Sequence, residues 1–225
     1  MIDALRHSSA HVFVDDVAAP ILSDDDTHHL AKVLRLRNGE TVTCSDGRGS
    51  WRECSWNDGV LVPVSDATTT TAPQPALTVV VAPVKGDKTD LVIEKLVEIG
   101  VDHIVVLAPV DHSVVRWSSD KVEQVMSRYA RIARAAAMQS RRVFLPSVTG
   151  PVPLASVLGS QVGFAEPGGT AAWGQVTTLV IGPEGGFSAS ELALGAPTIS
   201  LGSGILRAET AAIVGAALMV AHWRA

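Results

Sequence analysis

Three polar residues stand together near the C-terminus: Arg207, Glu209 and Thr210, within ISLGSGILRAET (199–210). A guanidinium, a carboxylate and a hydroxyl at this spacing could steady a developing anion, take a proton and tether one another. An isolated Arg-x-Glu is most often a surface ion pair of little worth. These three, however, lie between an apolar loop (Ile205-Leu206) and an apolar run (Ala211 to Val220), so a site accounts for them better. A glycine turn, Gly202 and Gly204, leads into them. A second glycine turn lies upstream in LVIGPEGGFSASE (179–191). There Gly182-Pro183 ends an apolar strand, and Gly185-Gly186 leave the backbone free to take positive φ or admit a ligand. Ser188 with Glu191 fits a capping box that starts a helix. Glu184 inside the loop would repel a phosphate, and neither a P-loop ending nor G-x-G-x-x-G is present. Such a loop suits a ligand with hydroxyls, amines or a positive centre, and fits equally a tight turn that binds nothing.

S-adenosylmethionine is a ligand of that kind. IGPEGGFSASE and LGSGILRAETA, in this order and separated by one short helix and strand, closely resemble the motif pair of the 16S rRNA (uracil-N3)-methyltransferase family (RsmE-type) of the SPOUT superfamily. The resemblance implies a deep trefoil knot whose loops hold S-adenosylmethionine, and a homodimer. Periodicity carries no trace of a knot, and general topology rules argue against one. KGDKTDLVIEKLVEIGV and AAAMQSRRVFLP extend the likeness, as do HHLAKVLRLRNGE and CSDGRGSW, which look like the family's PUA-like RNA-binding barrel. Met138, where the family often has Glu, Gly204, where it often has Arg, and His11-Val12-Phe13, where an arginine often precedes an aromatic, depart from the pattern.

The elements that must position these residues fall into two parts. At 225 residues, with 47% hydrophobic and 18% charged residues, the chain has room for a filled core and one large or two small domains. Up to about Asp66, VFVDD, ETVTCSD, SWRECSW and GVLVPVS read as strands separated by Asn38-Gly39, Asp46-Gly47 and Asp58-Gly59 turns. Their regular spacing predicts a small β-barrel or meander. One helix interrupts it, DDTHHLAKVLRLR, with Leu30, Val33 and Leu34 on the buried side and Lys32, Arg35 and Arg37 on the other. Adjacent His28 and His29 point to different sides of a helix and are no metal pair. Cys44 and Cys54 could face each other across a hairpin as free thiols, and two ligands make no zinc site. No metal is expected.

ATTTTAPQP (67–75) is a linker, placing a PUA-like barrel at 1–72 and a methyltransferase domain at 76–225. From Ala76 onward strands and helices alternate, which predicts an α/β domain with a largely parallel sheet. Leu91, Val92, Leu96, Val97 and Ile99 form the buried side of its first helix, which Gly100 ends. Loops at Glu166-Pro167, Gly182 to Gly186 and Gly202 to Leu206 follow strands and could converge, as ligand loops do at the carboxyl ends of parallel sheets. A long helix from about Ser119 to Gln139 places Lys121, Arg128, Arg131 and Arg134 within roughly 140° of one face. Arg116 precedes it and Arg141-Arg142 follow. A net charge of −5 argues against an indiscriminate nucleic-acid binder but leaves room for this local stripe. The opening residues show no secretory pattern and no run reaches the roughly 20 apolar residues that span a bilayer, so a soluble, cytoplasmic protein is expected.

The resemblance then implies S-adenosylmethionine-dependent methylation of N3 of a uridine in 16S rRNA, free or in the small subunit. Arg207 would steady charge on the base, Glu209 would take the proton or orient Arg207, and Thr210 would hold either. Glu166, Ile181, Gly182, Pro183, Glu184, Gly185, Leu201, Gly202, Ile205 and Leu206 would hold the cofactor. Lys32, Arg35, Arg37, Arg116, Arg128, Arg131, Arg134, Arg141 and Arg142 would meet RNA. An unknotted Rossmann-type enzyme with a nucleotide cofactor, and a non-catalytic ribosome-assembly factor, are the alternatives.

Overall fold

Residues 3–224 are described in a computed structural model. The chain divides into two compact units. The first takes residues up to Pro73 together with Ala137–Leu145, and the second takes Gln74–Ala136 and the chain from Pro146 onward.

In the first unit a short helix α1 (Asp3–His7) leads to β1 (Ala10–Phe13), which pairs in parallel with β2 (Thr41–Ser45). The sheet continues antiparallel through β3 (Ser50–Asn57) to β4 (Val60–Pro63), with β5 (Thr68–Thr69) also on β3. Asp58 and Gly59, both left-handed at φ 47° and 94°, form the two-residue turn that matches the twist of β3 and β4. Val12, Leu30, Val42, Cys44, Cys54, Trp56 and Leu61 fill the core between sheet and helix. Cys44 and Cys54 are buried free thiols with sulfurs 3.7 Å apart.

The expected basic helix is a shorter α2 (Asp24–His28) that runs into a π-helical turn (His29–Val33). The wider turn bonds Leu34 N–H to His29 O, five residues back, so i+3 and i+4 side chains no longer stack. Leu30 alone is buried, while Val33 and Leu34 face outward at 60% and 44% exposure, contrary to the helical spacing.

A polar cluster sits beneath β1. His11 is buried, its Nε2–H donating to Arg142 O (3.0 Å) and its Nδ1 accepting from the Thr43 hydroxyl (2.8 Å). Burial, and then the Arg141 guanidinium, lower its pKa to about 4 from 6.5. The unfolded chain takes up this proton near pH 6.5 and the folded one only near pH 4. Stability therefore falls across that window, by about 3 kcal/mol at its lower end. Urea denaturation at pH 7 and pH 4.5 should show a flatter loss for His11→Gln than for the native chain; equal losses would refute this assignment.

The second unit is built on six parallel strands in the order β11-β9-β10-β6-β7-β8. They are β6 (Thr78–Val81), β7 (His103–Leu107), β8 (Ser147–Val152), β9 (Val162–Thr170), β10 (Thr178–Ile181) and β11 (Thr198–Ile199). TVVV, HIVVL and TLVI are continuous apolar runs, as strands covered on both faces require. α3 (Lys88–Ile99) buries Val92, Ile93, Leu96 and Val97 and ends at left-handed Gly100 (φ 113°). Leu91 is 44% exposed instead of buried, because residues 92, 93, 96 and 97 define the inward stripe and position 91 falls outside it. α4 (Ser119–Gln139) buries Tyr129, Ala133 and Ala136. A single capped turn, α5 (Ala189–Leu192), precedes β11, and α6 (Ala208–Arg224) closes the unit. α6 lies close on the sheet: a Cβ at Gly215 would be 2.5 Å from Leu179 Cδ2. Among the described residues no helix is long and apolar enough to cross a membrane.

Candidate functional site

The middle of β9 and the segments after β10 and β11 meet at one cavity of about 260 Å3. Glu166, Ile181 to Gly185, Leu201, Gly202, Ile205 and Leu206, all expected as ligand contacts, line it. So do Ala165, Pro167, Gly186, Phe187, Gly204, Ala208 and Ala211.

Each segment has a local reason for its course. On β9, Phe164 is opposite Thr198 of β11 while Thr170 is opposite the next residue, Ile199. Residues 165–169 thus bulge from the ladder, which carries Glu166 to the cavity from within a strand rather than from a loop after it. After β10 the chain turns at Pro183, with Gly186 N–H bonded to Pro183 O (2.9 Å) and Gly186 at φ 71°. The capping box is present: Glu191 N–H donates to Ser188 Oγ (3.3 Å) and Ser188 N–H to Glu191 Oε2 (2.8 Å). The other Glu191 oxygen accepts from Asp111 N–H (2.9 Å), so this buried carboxylate also fixes the loop after β7. That loop supports the turn, with His112 Nδ1 3.1 Å from Gly186 O. Because a carbonyl only accepts, Nδ1 carries the hydrogen. A Cβ at Gly185 would lie 2.8 Å from His112 Cβ, so glycine is what lets the two loops close. After β11, Gly202 at φ 141° turns the chain, and Ser200 Oγ donates to its carbonyl (3.1 Å).

The donor set suits an adenosyl sulfonium ligand. Cβ atoms built at Gly202 and Gly204 would meet nothing within 4 Å, and Ile205 is 88% exposed beside them. Part of the cavity wall is thus open glycine backbone beside an uncovered apolar side chain, as a flat purine with polar edges needs. Glu166 is half-buried and burial raises its pKa above the usual carboxylate range. Among the described residues no cluster of three or more His, Cys, Asp or Glu side chains is arranged to hold a metal.

Arg207, Glu209 and Thr210 lie at the start of α6, beside the cavity but not in its wall. Arg207 and Thr210 are exposed. Glu209 faces elsewhere: Oε1 pairs with Lys88 Nζ at 2.9 Å, and this bond depresses its pKa. Oε2 is buried without a hydrogen-bond partner. A carboxylate held ionised against an ammonium is a poor proton acceptor, which favours the second role expected of Glu209, orienting Arg207, over taking the proton. No short-range pattern could have shown Lys88, which comes from the far end of the unit's sequence.

The basic residues separate in the same way. Lys32, Arg35 and Arg37 are exposed in the first unit, and Arg116 and Arg131 in the second. Arg128 is ion-paired with Asp90 of α3, an acid that α4 alone did not reveal. Arg134 and Arg142 are half-buried and have partners within the protein. Arg141, in the left-handed region at φ 58°, donates to Met138 O and Ser8 O and binds its own unit together. That engagement gives Arg141, expected at RNA, a structural role within its own unit.

Comparison with known proteins agrees with the geometry. An RNA methyltransferase domain family matches residues 71–220, and an RNA methyltransferase PUA domain matches residues 22–55. A Mycobacterium bovis protein named Ribosomal RNA small subunit methyltransferase E is 30% identical over 224 residues, covering 89% of this chain and 85% of the relative. A structure from Legionella pneumophila in complex with the bound cofactor SAM superposes with a TM-score of 0.81 at 26% identity, covering 94% of this chain and 97% of that one. The Neisseria gonorrhoeae Ribosomal RNA small subunit methyltransferase E bound to S-adenosyl methionine shares the fold, with a TM-score of 0.75 at 23% identity over 96% and 98% of the two chains. With the family matching well over half of the chain and the mycobacterial relative most of it, this protein belongs to the RNA methyltransferase family.

Proposed function

We propose that this protein is the S-adenosylmethionine-dependent methyltransferase that modifies N3 of one uridine in 16S rRNA, acting in the cytoplasm on free rRNA or the small subunit. The convergence of the 182–186 and 202–206 glycine turns on one cavity, with Arg207 beside it, carries this reading. Family membership and the bound SAM of the Legionella relative support it.

S-adenosylmethionine, held by these loops, would supply a sulfonium-borne methyl group for N3, and the N3 proton would pass to water. The protein's own residues hold and align the partners, which supplies much of the rate. Backbone groups of 182–185 and 201–206 grip the cofactor, and Ile205 and Leu206 meet its purine. Arg207 meets the negative charge that deprotonated N3 shares with O2 and O4. Glu209, through Lys88, anchors the first turn of α6 to α3 and so fixes where Arg207 stands. Thr210 is a neighbouring tether. Lys32, Arg35, Arg37, Arg116, Arg131 and Arg134 contact phosphates, and Arg128 joins them by exchanging Asp90 for RNA. The target base leaves its stack to reach the site. The finer architecture belongs to the same reading: a trefoil knot through the cofactor loops, a first sheet closed into a PUA-like barrel at 1–72 ahead of a methyltransferase domain at 76–225, and a homodimer covering the exposed apolar positions of α6 such as Leu218.

Mass-spectrometric nucleoside analysis of 16S rRNA from cells with and without this protein tests it. Loss of 3-methyluridine in its absence is expected; an unchanged nucleoside profile would remove the reading.

A further inference from the structure

The cavity wall contains two acidic side chains and no basic one. Among the described residues that line it, Glu166 and Glu184 are the only ionisable ones. Glu166, on the bulge of β9, has no hydrogen bond or ion pair among the described residues, and burial already disfavours its charged form. The cations around the site are placed elsewhere. Arg207 is outside the wall, Lys88 is paired with Glu209, and His112 bonds Gly186 O. The first turn of α6, through Ala208 and Ala211, contributes the partial positive end of a helix dipole. It suits a ligand's carboxylate rather than its cationic centre. A partly desolvated carboxylate without a partner is disfavoured until a cation enters.

We propose that Glu166, assisted by Glu184, makes this cavity discriminate by charge between cofactor and product: it holds the sulfonium and releases the neutral thioether. The inference rests on the methyltransferase reading above. When the methyl leaves, the electron pair of the S–CH3 bond stays on sulfur, and the ligand loses one positive charge while keeping nearly the same shape. Backbone contacts to the adenosine hold both forms equally and cannot tell them apart. The carboxylates hold only the first more tightly, so transfer itself weakens binding and clears the site.

Titration calorimetry on the full chain tests this with S-adenosylmethionine, S-adenosylhomocysteine and sinefungin, in which an amine-bearing carbon keeps a positive charge at the sulfur position. The native protein should prefer S-adenosylmethionine and sinefungin over S-adenosylhomocysteine. Glu166→Gln should cut that preference roughly ten-fold, while S-adenosylhomocysteine affinity moves by less than about two-fold. Glu184→Gln, in an exposed turn that tolerates the change, should cut it less and in the same direction. Equal weakening of all three ligands, or an unaltered preference in both variants, overturns the proposal. A native protein that binds none of them refutes the cofactor assignment itself and this proposal with it, an outcome distinct from unchanged discrimination.

Discussion

Arg207→Ala should slow methyl transfer by about 10²–10³-fold at saturating cofactor and RNA, the usual cost of removing one donor aimed at developing charge. N3 of uridine attacks only after losing its proton, and the charge then spreads over the two flanking carbonyl oxygens. Immediately before α6 the guanidinium is exposed and makes no hydrogen bond or ion pair among the described residues. Its charge acts on Glu209 only as a minor addition to Lys88, so the melting temperature should stay within a degree or two of native. RNA affinity should fall by only a few-fold, since one of several cations is lost. Arg207→Lys keeps the charge without the two-pronged fork and should recover only part of the rate. Single-turnover transfer of labelled methyl to 16S rRNA, alongside filter binding, separates the effects. Full activity in Arg207→Ala would remove this residue from the mechanism. A chain whose native form binds RNA but transfers no methyl would instead be the non-catalytic assembly factor.

Phe164→Ala should cost about 3–5 kcal/mol of unfolding free energy, the range for emptying a buried aromatic site. Phe164 is fully buried in β9, which sits between β10 and β11, and packs among Val80, Leu107, Val162 and Val180. Its ring lies 4.9 Å from that of Phe187 at 36°. Phe187 in turn backs the glycine turn at the cavity: a Cβ at Gly182 would be 3.0 Å from its ring. The void would therefore open directly beneath residues 182–187, and S-adenosylmethionine affinity should fall together with stability. Urea denaturation with and without ligand measures both. A loss under about 1 kcal/mol would show that the surrounding aliphatic side chains collapse into the space, and unchanged ligand affinity would disconnect this core from the site.

Much of the site was readable in order along the chain. Ser188 with Glu191 is a three-residue relation, and it forms the capping box. Asp58-Gly59 demands positive φ at two adjacent positions, and the hairpin turns there. Gly100 ends α3 for the same local reason, and the unbroken apolar runs of β6, β7 and β10 could only belong to strands covered on both faces. The paired glycine turns also carried the family resemblance, because backbone that must approach a ligand closely tolerates few other residues.

What the sequence by itself determined was this near-neighbour chemistry: where strands and helices start and stop, which turns need glycine, and which family the motif pair resembles. Tertiary structure alone decided which distant groups met. The π-helical turn after α2 swung Val33 and Leu34 outward, since one added residue per turn breaks a spacing rule that assumes 3.6. The bulge at 165–169, where β9 pairs with the two-residue β11, put Glu166 on the cavity wall. Lys88 took Glu209, Asp90 took Arg128, and the Ser8 and Met138 carbonyls took Arg141. A charged or polar group that leaves bulk water must find a partner, and strand order and packing determine which one lies within reach.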